Sequence, residues 1–196
     1  MKIPMPAAVL AGGASRRMGR DKGALPYGEG TLAQFQTVRL ASIFAEVWLV
    51  AKQMPGYPIG PARVLLDDVP ESAAIHGLRR ALREAEDRVF LLAVDLPALA
   101  EGVIREIARR GLETDAPALV PRADGRLQPL AAVWRREALR EADRRAASGE
   151  LSLHGLAGAA GAEILPEAQW LVIDPSGNSF LNVNTLEQYA ALRERA

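Results

Sequence analysis

The densest chemistry in the sequence lies between residues 10 and 22: Leu10-Ala11-Gly12-Gly13-Ala14-Ser15-Arg16-Arg17-Met18-Gly19-Arg20-Asp21-Lys22. Two glycines leave an apolar run, so peptide N–H groups there can approach a ligand with no Cβ in the way. Three arginines and a lysine follow. Guanidinium forks and an ammonium neutralise phosphate oxygens, which makes the segment a candidate polyphosphate cradle. The alternative is a plain surface turn whose arginines serve solubility. The spacing is neither Gly-x₄-Gly-Lys-[Ser/Thr] nor Gly-x-Gly-x-x-Gly, which argues against a P-loop NTPase and against hydride transfer with a dinucleotide.

Three further groups carry donors suited to a phosphate or metal site. Asp95 follows the apolar run Val89–Val94, and Pro97 holds Leu96 extended after it. A carboxylate at a rigid strand end is a candidate Mg²⁺ ligand, with a helix cap as the competing role. Asp67 follows Arg63-Val64-Leu65-Leu66 but has Asp68 beside it, so an ordinary turn aspartate competes there. Asn182 and Asn184 stand two apart in an extended run and project to one side. Gln128-Pro129, after Asp124-Gly125, and His154 are candidates for a second-substrate site, with a plain helix-surface role competing for His154.

Composition narrows the chemistry. The 196 residues carry 24 Lys+Arg and 24 Asp+Glu, a balance that argues against a nucleic-acid binder or a membrane-surface protein. There is no cysteine, so thiolate metal sites, disulfides and a cysteine nucleophile are excluded. Two histidines, His76 and His154, cannot make a multi-histidine metal site. Metal chemistry must use carboxylate and amide oxygens, which suits Mg²⁺. The only lysines are Lys2, Lys22 and Lys52, so a retained lysine is worth a look. The apolar stretch after Lys2 is short and runs into arginines, which argues against a cleaved leader. With no apolar run of 18 residues, the expected setting is cytoplasmic.

The elements that must position these groups alternate between strand and helix. Strands are expected at Ala7–Leu10, Val47–Val50, Arg63–Leu66, Val89–Val94, Ala118–Val120, Leu130–Trp134 and Trp170–Ile173. Helices are expected from a Thr31 cap to about Phe44, with Leu32, Phe35, Val38 and Ile43 near one face, and over Ile75–Ala85, Ala100–Arg110, Glu137–Ala147, Ser152–Ala160 and Leu186–Glu194. Gly56–Pro61 and Arg122–Arg126 read as exposed loops. The alternation predicts one domain over residues 1–196, an α/β/α sandwich on a mostly parallel sheet. In such sheets ligands lie beyond the carboxyl ends of the strands, at Gly12-Gly13, Asp67, Asp95 and after Ile173.

The motif from Leu10 to Lys22 resembles the signature of nucleotidyltransferases with a GT-A-like fold, and most closely that of the molybdenum cofactor guanylyltransferase family. Asp67-Asp68-Val69-Pro70, Leu92–Pro97 and Phe180-Leu181-Asn182-Val183-Asn184-Thr185 resemble later motifs of that family in the same order. The resemblance implies transfer of GMP from GTP to Mo-molybdopterin. It also implies Mg²⁺ on Asp95, and GTP held by Leu10, Ala11, Gly12, Gly13, Lys22, Asp67 and Asp95. Arg17, Lys22 and Asp95 would be catalytic, and Asn182 and Asn184 would hold the pterin or the metal shell. Implied partners are proteins of molybdenum cofactor synthesis and apo-molybdoenzymes. A related nucleotidyltransferase using CTP, or acting on a sugar or alditol phosphate, is the nearest alternative. Ala73-Ala74-Ile75-His76-Gly77 departs from the family's Gly-Pro-Leu-Ala-Gly and keeps only its last glycine. Val50 replaces an asparagine found in some members, and Thr185-Leu186 replaces Thr-Pro.

Overall fold

Runs that are apolar without alternation belong in strands covered on both faces, and they build the centre of this molecule. In the computed structural model, which describes residues 1–11 and 21–181, the strands are β1 (Ile3–Leu10) and, in chain order after it, β2 (Pro26–Tyr27), β3 (Gly30–Thr31), β4 (Phe44–Ala51), β5 (Arg63–Leu66), β6 (Arg88–Ala93), β7 (Ala118–Ala123), β8 (Arg126–Leu127), β9 (Ala131–Arg135) and β10 (Glu163–Leu165). Of these, β1, β4, β6 and β9 are the unalternating runs, and β2 and β3 pair apart from the main sheet. The helices are α1 (Leu32–Ile43), α2 (Ala74–Glu84), α3 (Glu101–Glu113), α4 (Ala138–Ala147), α5 (Leu153–Ala160) and α6 (Glu167–Leu171). The main sheet runs β10-β7-β9-β6-β1-β4-β5, with β8 paired to β7. The β1–β4, β1–β6, β4–β5 and β7–β10 pairs are parallel, and β9 runs against its neighbours β6 and β7. The expected mostly parallel α/β/α arrangement is present.

Strand alternation sends two hydrophobic cores to opposite faces. Ala7, Val9, Phe90 and Leu92 pack with residues of α1 and α3, while Ala8, Leu10, Val89 and Leu91 pack with α2, α4 and α5. Close approach is built in where α3 crosses β9. A Cβ on Gly111 would lie 2.6 Å from Val133 Cβ, nearer than any real pair of such atoms. The polar Gln36 and Thr37 of α1 are fully buried, and Val38, expected on the inner face, is half exposed. The helix is therefore turned so that Gln36 meets the sheet, for a reason given below.

One expected strand is a helix. The helix Glu167–Leu171 ends within Trp170-Leu171-Val172-Ile173: Trp170 is buried, Leu171 packs partly buried against the core, and Val172 and Ile173 are exposed just beyond the helix end. Pro166 precedes the turn and Glu167 sits in its first residues, where a carboxylate favours the helix dipole. The edge strand is instead Glu163–Leu165, three residues parallel to β7. Arg122–Arg126 is not an open loop either. It is the hairpin of β7 and β8, turned by Asp124 and Gly125 at φ 48° and 72°, the paired positive φ of a tight hairpin turn. The 56–61 loop is exposed at Gly56, Pro58, Gly60 and Pro61, as expected, and is tied to α1 and its cap by Thr31 Oγ1 donating to Pro58 O (2.6 Å) and Thr37 Oγ1 to Ile59 O. The helix expected at Leu186–Glu194 lies outside the described residues.

Candidate active site

The carboxyl ends of the four strands β6, β1, β4 and β5 are tied to one another. Ala11 N–H donates to Val50 O (3.0 Å), Val94 N–H to Leu10 O (3.2 Å) and Asp67 N–H to Ala51 O (2.9 Å). This sets Leu10, Ala11, Asp67 and Asp95 along one rim of the sheet, as the strand-end rule anticipates.

Lys22 and Asp95, 73 residues apart in sequence, meet there. The ammonium donates to Asp95 Oδ2 at 2.6 Å, and both side chains are about four-fifths buried. Each partner is held by its own supports. Asp21 Oδ1 accepts from Gly23 N–H at 2.8 Å and starts the 3₁₀ turn Lys22–Ala24. Asp21 Oδ2 accepts from the Tyr57 hydroxyl at 3.0 Å. Burial first, then the adjacent Asp21 carboxylate, push the Tyr57 phenol well above its usual range, so it stays a donor. On the other side, Gln36 Nε2 donates to Val94 O at 3.2 Å. Arg39 donates to Pro97 O (3.1 Å) and Leu99 O (2.6 Å). Burial pulls the Arg39 guanidinium down to about 10, so it remains charged at neutral pH. The buried polar face of α1 thus clamps the turn that carries Asp95.

A small recess of about 10 Å³ lies at the same strand ends, lined by Leu10, Val50, Ala51, Lys52, Asp67, Ala73 and Gly77. Gly77 lets α2 sit against β1, since a Cβ there would come 2.9 Å from Leu10 Cδ2. That is a packing reason for the one glycine kept in the divergent Ala73–Gly77 segment. Asp67 is buried, and each of its carboxylate oxygens accepts one hydrogen bond. Oδ2 accepts from Lys52 Nζ at 2.6 Å, and Oδ1 accepts from Val69 N–H at 3.2 Å.

Ala74, the next residue of α2, lines a second and larger cleft of about 670 Å³. Leu96, Arg126, Gln128, Pro129, His154 and Phe180 also line it. His154 Nε2 lies 3.0 Å from Leu127 O. The Asp124–Pro129 segment and His154, distant in sequence, thus share one cavity.

The described rim therefore brings together Leu10, Ala11, Lys22, Asp67 and Asp95. Gly12, Gly13, Arg17, Asn182 and Asn184 lie outside the described residues. Sequence reasoning did not assign Lys52, Gln36, Arg39 or Asp21. The shortage of lysine was the available signal for Lys52. The β4–β5 register, which pairs Ala51 with Leu66, puts the next two residues, Lys52 and Asp67, side by side.

A comparison with known families matches residues 7–164 to the MobA-like NTP transferase domain. This chain belongs to that family. It is a nucleotidyltransferase. Among relatives, the probable molybdenum cofactor guanylyltransferase of Mycobacterium bovis is 37% identical over 166 residues, 82% of each chain. The protein of the same description from Mycobacterium avium is 34% identical over 196 residues, 95% of this chain and 93% of that one. Among solved structures, molybdopterin-guanine dinucleotide biosynthesis protein A from Archaeoglobus fulgidus superposes with a TM-score of 0.84 at 22% identity. That match covers 97% of this chain and 98% of the other. A Thermus thermophilus 2-C-methyl-D-erythritol 4-phosphate cytidylyltransferase shares the fold at TM-score 0.69 and 17% identity over 100% of this chain and 98% of that one. No helix among the described residues is long and apolar enough to cross a membrane.

Proposed function

We propose that this chain transfers GMP from GTP to the terminal phosphate of Mo-molybdopterin, forming molybdopterin guanine dinucleotide and pyrophosphate. The observation that carries the reading is the Lys22–Asp95 pair at the strand ends, flanked by the Asp67 recess and by the larger cleft. A nucleoside lying over the mouth of the recess and an acceptor in the cleft would bring their phosphates to that pair. Relatives described as molybdenum cofactor guanylyltransferases supply the identity of the two substrates.

In the reaction an acceptor phosphate oxygen forms a bond to the α-phosphorus of GTP. The bridge from the α-phosphorus to the β-phosphate breaks, and its electron pair leaves with pyrophosphate. No covalent enzyme intermediate is required, so the chain's work is positioning and charge stabilisation. Lys22 and Arg17 neutralise the phosphates, and the Gly12-Gly13 backbone lets their oxygens approach. Asp67, acceptor-only when ionised, takes N–H or O–H donors of the nucleoside.

The donor set at Asp95 fits Mg²⁺. It offers one hard carboxylate oxygen beside an open cleft, and no cluster of three metal-binding side chains exists among the described residues. A cation that keeps its waters and is completed by substrate phosphates suits such a site better than a protein-only cage would. When bound there, Mg²⁺ supplies positive charge to the phosphoryl oxygens. Asn182 and Asn184 are further amide oxygens for that shell or for the pterin.

Arg126 supports the acceptor side. Among the described residues it makes no ion pair, whereas Arg63, Arg79 and Arg135 are each held by carboxylates. An unpaired guanidinium at a cleft wall suits an anionic ligand. Arg126→Ala should raise the KM for the pterin acceptor about tenfold and leave the KM for GTP unchanged, a split that steady-state kinetics resolves.

A nucleotide panel tests the reading. GTP, ATP, CTP and UTP are each incubated with Mg²⁺ and Mo-molybdopterin, and pyrophosphate is measured. Release with GTP alone is the expected result. Release with CTP would favour the cytidylyl alternative, whose representative shares this fold.

A further inference from the structure

Lys52 makes all the hydrogen bonds an ammonium can make. Its three N–H groups go to Asp67 Oδ2 at 2.6 Å, Val69 O at 2.7 Å and Glu71 O at 2.8 Å. The three acceptors sit at alternate residues of the turn that follows β5, so this turn wraps around one cation. An arginine could not replace it. A planar guanidinium cannot converge on three oxygens arranged around a point, whereas an ammonium on a flexible stem can. This is a physical reason for one of only three lysines in a chain with 24 basic residues.

Stability alone does not account for the pair. The Asp67 side chain is 6% exposed and that of Lys52 29%. A buried ion pair is often no more stabilising than apolar residues of the same size. Asp67 also lines the recess, and only part of its capacity is used: a carboxylate offers about four acceptor sites, and Lys52 and Val69 N–H occupy one on each oxygen.

We infer that Lys52 is a positioning residue for nucleoside recognition, holding the Asp67 carboxylate so that its unused acceptor sites meet donors of a nucleoside at the mouth of the recess. This inference rests on the proposed function, in which the nucleoside of GTP lies over that recess. Lys52 donates no hydrogen bond to substrate, because its three donors are all committed, and only its stem lines the recess. It differs from Lys22, which acts on phosphates, and the two roles separate by ligand.

The test is calorimetric titration of the full chain, with Mg²⁺, using GTP, guanosine and inorganic triphosphate as ligands. The proteins are wild type, Lys52→Met, Lys52→Arg, Asp67→Asn and the Lys52→Met/Asp67→Asn double variant, with thermal midpoints measured for each. Lys52→Met should weaken GTP and guanosine by the same factor, about tenfold or more, and leave inorganic triphosphate unchanged. Lys52→Arg should fail to restore guanosine binding. It retains the charge and carries the same comparison if the methionine variant folds poorly. The double variant should bind no more weakly than Asp67→Asn alone, since Lys52 acts through Asp67. Unchanged guanosine affinity in folded Lys52→Met and Lys52→Arg overturns the inference alone. So does loss of guanosine and triphosphate affinity together, which would mark a merely structural role. A wild-type chain that binds no GTP overturns the proposed function and this inference with it.

Discussion

Turnover of Asp95→Asn is expected to fall by about 10²-fold or more while the fold stays intact, the size of loss that follows removal of one electrostatic stabiliser. The substitution is isosteric, so the turn clamped by Gln36 and Arg39 has no reason to move. What disappears is the negative charge that pairs with Lys22 and that would hold Mg²⁺. An amide oxygen is a weaker ligand for a hard cation, and the deficit falls where charge develops on the leaving pyrophosphate. Turnover at saturating Mg²⁺, alongside far-UV circular dichroism, checks this. Near-normal turnover in the folded variant would remove Asp95 from the metal site.

Lys22→Ala should raise the KM for GTP and lower kcat, with a combined loss in kcat/KM also on the order of 10²-fold. Its ammonium lies 2.6 Å from Asp95 Oδ2, on a turn fixed by Asp21 and Tyr57. Phosphates arriving with their own cation would compete for both partners, so under the proposed function the lysine would meet phosphate charge in the ground state and more strongly as pyrophosphate departs. Arg17→Ala should act in the same direction. Unchanged GTP titrations and rates in both variants would leave the basic segment as a solubilising turn.

Local patterns made most of the strands legible and left the contacts between them unread. Val89–Val94 and Ala7–Leu10 lack alternation because helices cover both faces, and that alone places them mid-sheet. Their ends carry Asp95 and the glycine motif, so the run and the topology rule together point to the candidate site. Trp170–Ile173 misled because four apolar residues in a row suit a strand or a helix equally. The outcome was set by Pro166 and Glu167 before them and by burial of Trp170 alone. Glu163–Leu165 is too short and polar at its start to declare itself. The Lys52–Asp67 pair depended on which strands become neighbours, and no spacing within one segment encodes that. Gln36 was hidden for a related reason: a buried amide on α1 reads as a flaw in the apolar stripe until its acceptor, Val94 O, is known.

The most direct measurement follows the label of GTP carrying ³²P at the α position or at the γ position, incubated with the wild-type chain, Mg²⁺ and Mo-molybdopterin. Guanylyl transfer requires α-label to appear in the pterin dinucleotide and γ-label to appear only in pyrophosphate, in equal amounts, with neither product formed when the acceptor is omitted. Label from the γ position in the pterin product, or α-label released as free GMP with the acceptor unchanged, would contradict the account.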